Sequence, residues 1–118
     1  MEYLGHQASI VYATCHFGNL WDDKDASGNS LDISPATFAD GAFHLFAIEW
    51  EPTQIRWYAD GTHYHTFNKG DEGAYFFPFD KRFYLILNVA VGGKWPGSPE
   101  STTVFPQVME VDYVRVYQ

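Results

Sequence analysis

The chain has 118 residues, one domain's worth of sequence or part of a larger one, and a length that can bury a core without disulfide staples. Fifteen acidic against seven basic residues leave a net charge of −8, which repels polyanions and so argues against nucleic acid or an anionic membrane surface as partner. No apolar stretch approaches the ~20 residues of a membrane span, and the one cysteine, Cys15, cannot form an internal disulfide.

Aromatic residues make up 19% of the chain. Such rings pack cores and also stack on the flat apolar faces of sugars, so composition leaves both uses open. There is no basic-then-apolar leader at the start. Instead MEYLGHQ reads as though the chain opens in mid-strand, with Glu2 on the strand.

SIVYATCHF (9–17) is rich in β-branched and aromatic residues and predicts a strand, with Cys15 as a buried structural thiol. GNLWDDKDASGNSLDISPATFADG (18–41), dense in Gly, Asp, Ser and Asn, predicts a long loop. AFHLFAIEW (42–50) predicts a strand. QIRWYADGTHYHTFN (54–68) predicts a hairpin turning at Asp60-Gly61, because a type I′ turn needs positive φ at both positions. KGDEGAYFFPFDKR (69–82) is a second loop. FYLILNVAV (83–91), almost continuously apolar, predicts a strand covered on both faces. A third loop, GGKWPGSPESTTVFPQ, leads to a last predicted strand over 108–118. About six strands without a helix describe an all-β sandwich.

No GxSxG, HExxH, CxxC, P-loop or Rossmann fingerprint is present. His63 and His65, two apart in a strand, are expected on one face of the hairpin, but no third ligand at useful spacing completes a metal site. Trp57 reads as core, Trp50 as core or cleft, and Trp21 as a loop residue at a cleft edge or at no site at all.

Three blocks carry more information than any single residue. FHLFAIEWEPTQIRWYADGTHYHTF, FYLILNVAVGGKWPG and MEVDYVRVYQ resemble, in order and spacing, the second half of family-16 glycoside hydrolases of the laminarinase (endo-β-1,3-glucanase) type. That resemblance implies a concanavalin-like β-jelly roll, of which this chain carries the C-terminal part, with a concave sheet forming a glucan-binding cleft. It also implies an extracellular or periplasmic setting. The family's catalytic signature is E-x-D-x-x-E. Met1-Glu2-Tyr3-Leu4-Gly5-His6 resembles only its tail, so Glu2 matches the last glutamate, the general acid/base. The nucleophile glutamate would then lie before residue 1.

A retaining glycosidase needs two carboxyl groups about 5–5.5 Å apart. Glu2 alone can donate a proton but cannot form the glycosyl-enzyme intermediate. The plainer reading of Glu2 is a solvated terminal residue. By resemblance His16 reaches the sugar beside the cleavage point, although as a bare sequence feature it is a strand histidine without a role. Asn88, polar within an apolar run, needs a sugar hydroxyl or a neighbouring strand to satisfy it. Trp95, on a glycine-flanked loop, suits stacking on a glucose ring, with Trp50 as a further substrate contact. Asp112 matches a position that helps hold a structural calcium in the family. No cofactor is required for the chemistry itself.

Two functions follow from different classes. One is retaining endo-hydrolysis of β-1,3 or mixed β-1,3/1,4 glucans; the other is a non-catalytic β-glucan-binding or structural half-domain. An unrelated lectin-like sandwich fits the three blocks poorly. Half a jelly roll leaves strand edges and aromatic faces uncovered, so self-association or pairing with the missing N-terminal half is expected.

Overall fold

The computed structural model describes residues 1–20 and 23–118, with side chains described outside 19–24. Trp21 lies outside the described residues. The chain divides into two compact units, Met1–Arg82 and Phe83–Gln118.

The first unit holds six strands in two three-stranded antiparallel sheets. One sheet has the order β1 (Glu2–Tyr3), β2 (Ile10–Leu20), β3 (Asp23–Asp32); the other has β4 (Phe46–Glu51), β5 (Gln54–Ala59), β6 (Thr62–Asn68). A period of two builds the core. Val11, Ala13, Cys15 and Phe17 of β2 are buried together with Ile55, Trp57 and Ala59 of β5, Tyr64 and Phe67 of β6, and Phe77 beyond it. The alternate residues Tyr12, Thr14 and His16 take the opposite face of β2. Burial pushes the Cys15 thiol up to about 12, so it stays protonated and inert, as expected for a structural cysteine.

The hairpin turn forms where it is expected, with Asp60 at φ 47° and Gly61 at φ 80°. Asp60 does more than turn the chain. Its carboxylate accepts from the Leu45 amide at 2.8 Å and lies 2.7 Å from His44 Nδ1, while His44 Nε2 lies 3.1 Å from Asp40 Oδ1. One imidazole therefore clasps the 36–44 segment to the hairpin.

Three expectations are corrected. The stretch expected to be a loop from 18 to 41 contains β3, which pairs with β2 continuously from Ile10↔Asp32 to Phe17↔Asp25. Its residues have poor strand propensity, but an apolar partner strand supplies the ladder and overrides it. On the core-facing side Leu31 packs against the core, and Asn29 donates its amide to the Tyr64 carbonyl at 3.0 Å, bonding the two sheets. Gly28 is required by close approach: a Cβ there would meet the Ala13 carbonyl oxygen at 2.5 Å.

The second correction concerns His63 and His65. A bulge between the Trp57↔His65 and Tyr58↔His63 pairs puts them on opposite faces, since Trp57 and Tyr58 are consecutive. His65 lies on Trp57 with ring centroids 5.1 Å apart, and burial lowers its basicity. The pair cannot share a metal.

Third, neither 83–91 nor 108–118 is a strand in the second unit, where the one β-bridge among the described residues joins Gly93 and Gly97. Leu85, Ile86, Leu87 and Val89 are exposed rather than covered. An apolar run becomes a strand only when a neighbour takes up its backbone hydrogen bonds, and among the described residues none pairs with either segment.

Candidate active site

β1 is short, and its value is positional. Antiparallel pairing sets Glu2 directly opposite Tyr12. That places the Glu2 side chain on the outer face of β2, among Tyr12, Thr14 and His16, because cross-strand partners share a face. Thr14 Oγ1 donates a hydrogen bond to Glu2 Oε2 at 2.5 Å. The other carboxylate oxygen, Oε1, lies 3.7 Å from His16 Nε2. The Glu2 side chain is 39% exposed and that of His16 63% exposed, so solvent and ligand reach both. Tyr12 is fixed by donating its hydroxyl to Gln7 Oε1 at 2.6 Å.

Beside Thr14 the sheet surface dips into a depression of about 300 Å³ bordered by Tyr12, Thr14, Gly28 and Ser30. The missing side chain of Gly28 keeps the surface low beside Thr14. Chemically, the arrangement is a carboxyl group with one oxygen held by a hydroxyl donor and the other turned toward an imidazole and the open face. It can deliver and recover a proton at a group lying on that face.

Glu2 and His16, both singled out in the sequence, are thus brought together. Thr14 and Tyr12 were not singled out, although their spacing of two and four residues before His16 on one strand was a readable signal. Trp50 is placed elsewhere. It stands opposite buried Ile55 on the core-facing side of the second sheet, and its indole donates to the Phe79 carbonyl at 2.7 Å. It ties the short 3₁₀ turn Pro78–Asp80 to β4 and does not join the Glu2 face.

In the second unit Asn88 is exposed on the unpaired segment. Trp95 is presented by a tight loop closed by mutual backbone bonds between Gly93 and Gly97 at 3.0 and 2.9 Å. Asp112 is exposed, and no group of three or more ligating side chains gathers around it or elsewhere among the described residues.

An all-β unit of two antiparallel sheets, with a carboxyl group held on the open face of one of them, is of the β-sandwich class. The comparison with known families makes that particular: the model of "Glycosyl hydrolases family 16" matches residues 1–115, and the chain belongs to this family. Similar proteins include the glucan endo-1,3-beta-glucosidase A1 of Niallia circulans, 37% identical over 100% of this chain and 18% of the relative. The beta-glucanase of Rhodothermus marinus is also 37% identical, over 100% of this chain and 43% of the relative. Among solved structures, the endo-beta-1,3-glucanase of Pyrococcus furiosus superposes with a TM-score of 0.73 at 41% identity, covering 88% of this chain and 40% of that one. The fold is accordingly of the β-jelly-roll class. The chain spans less than half the length of each of these relatives.

Proposed function

We propose that this chain supplies the acid/base side of a retaining endo-β-1,3-glucanase site, acting on β-1,3 or mixed β-1,3/1,4 glucans such as laminarin. The observation that carries the reading is the Glu2 carboxyl, held by Thr14 and facing His16 on an open sheet surface. In the first half-reaction Glu2 gives its proton to the glycosidic oxygen as the bond to the anomeric carbon breaks. In the second it takes a proton from the water that releases the sugar from the nucleophile. His16, beside Oε1, borders the ring next to the cleaved bond. Two carboxyl groups suffice for this chemistry, so the reading requires no cofactor. A polysaccharide of this kind is met outside the membrane, which favours an extracellular or periplasmic setting.

The test is reducing-sugar release from laminarin by the purified chain, beside a Glu2→Gln variant. Hydrolysis by the chain would mean that a nucleophile carboxylate is supplied within the purified protein, and that hydrolysis is expected to fall about 100-fold or more in the variant if Glu2 is the acid/base. Equal hydrolysis by both proteins overturns the assignment of Glu2.

One observation favours a second reading: among the described residues, the side chains that contact the Glu2 carboxylate are Thr14 and His16, neither of them a carboxyl. Binding of laminarin without any hydrolysis would make the chain a non-catalytic glucan-binding half-domain. Partner binding has support of its own. Phe46, Ile48 and Trp50 share the core-facing side of β4, an edge strand, yet all three are exposed. Such an edge invites a second copy of the chain or a further strand. Sedimentation velocity is expected to show association that grows with concentration; a monomer at every concentration, binding no hydrophobic dye, rules it out.

A further inference from the structure

Two residues past His16, Gly18 ends the unbroken pairing of β2 with β3, at φ 119°. A cavity of about 470 Å³ opens there, bordered also by Lys69, Tyr75, Phe76, Phe77, Asp80 and Lys81. The volume lies in the range of small-molecule sites, roughly 300–1,000 Å³. Two features of its lining are unusual for this chain.

The first is Phe76, 92% exposed beside its buried neighbour Phe77. A phenyl ring left in water beside a cavity is an apolar platform without a partner. The second is charge. Two of the seven cationic side chains in a chain of net charge −8 border this one cavity. Lys81 lies 3.1 Å from Asp80, whereas Lys69 forms no ion pair among the described residues and rests its ammonium 5.9 Å from the Phe77 ring centroid. An ammonium that forms no ion pair among the described residues, beside an exposed ring, answers two needs of a ligand at once. The ring accepts a flat C–H face, and the ammonium accepts an anionic group.

We propose that this cavity binds a sugar ring carrying one anionic substituent, a carboxylate or a sulfate ester. The pyranose C–H face stacks on Phe76, and the anionic group meets the Lys69 ammonium. A polyanion is disfavoured by the overall negative charge, whereas a single charge on one ring engages Lys69 locally. The site is separate from the Glu2 carboxyl and stands whether or not that carboxyl is catalytic.

The experiment is a titration of the isotope-labelled chain, followed by amide NMR, with four probes: glucose, methyl β-glucuronide, glucose 6-sulfate and sodium sulfate. The expected result is saturable movement of the Gly18, Lys69 and Phe76 signals, with roughly millimolar dissociation constants for one or both anionic sugars. Glucose binds about threefold or more weakly, as an exposed ion pair predicts. Which anionic sugar binds tighter names the substituent. Lys69→Gln brings the anionic sugar down to the level of glucose, and Phe76→Ala weakens every sugar; both positions are exposed, so the remaining signals stay in place. Movement of equal size with sodium sulfate alone, equal binding of glucose and the anionic sugars, or no movement at these signals overturns the proposal.

Discussion

Replacing Phe67 by alanine is expected to cost about 3–5 kcal/mol of folding stability, the usual range for emptying a fully enclosed phenylalanine site. Phe67 is 0% exposed. Its ring lies 5.4 Å from Phe17, 6.2 Å from Phe77 and 5.8 Å from Phe79, so it joins β2 of one sheet to the turn that follows β6 of the other. Alanine leaves three aromatic neighbours without contacts on one side, and the surrounding strands cannot collapse into the gap without breaking their ladders. Against a total of about 5–15 kcal/mol for a native domain, that loss removes most of the folded population. Urea unfolding followed by tryptophan fluorescence measures it. Phe76→Ala serves as the comparison, because an exposed side chain is expected to change stability by no more than about 0.5 kcal/mol. Equal midpoints for the two variants would mean that the aromatic cluster is not the core.

The second large effect is one of pH, and it centres on His44. Both ring nitrogens face carboxylate oxygens, and only the imidazolium can donate from both. The side chain is 14% exposed and also meets Phe38 edge-on. The hydrogen bond to Asp60, with that to Asp40, outweighs burial and holds the imidazole above its ordinary value. Asp40 is held low by the Ala42 amide and by His44. Asp60 is pushed up by burial but carried below the ordinary value by His44 and the Leu45 amide.

The signs follow by linkage. Because the folded imidazole is the stronger base, its contribution is fully present below the unfolded value near 6.5 and is lost as pH rises through the folded value. The two carboxylates contribute above their unfolded value near 3.9 and lose that contribution as pH falls through their lowered folded values. Thermal stability is therefore expected to fall as pH rises from about 6.5 through the raised folded value of His44, and His44→Asn is expected to flatten that limb. An unchanged slope in His44→Asn would show that some other group titrates there.

These elements differ in how far they were legible. The Asp60-Gly61 turn needed only two residues with positive φ, and the alternation of Val11, Ala13, Cys15 and Phe17 needed only one side of β2 to be apolar. Both are properties of consecutive residues, so the sequence displays them. The three blocks resembling family-16 hydrolases were equally legible, because they are long, ordered and specific.

β3 was hidden because its residues favour turns, and its ladder comes from β2 rather than from its own side chains. The faces of His63 and His65 depended on a bulge that no local residue announces. The runs 83–91 and 108–118 have the composition of buried strands, but a strand exists only with a hydrogen-bonded neighbour, and composition does not report whether one is there.

By itself the sequence determined the β class, the hairpin, the buried thiol and the family, since each rests on local periodicity, turn chemistry or motif order. Only the tertiary structure decided that Thr14 holds the Glu2 carboxyl beside His16, that Trp50 turns away from that face, and that Lys69 and Phe76 share a cavity. Those are meetings of residues distant along the chain. Strand register and sheet packing determine them, and neither is a property of any short stretch of residues.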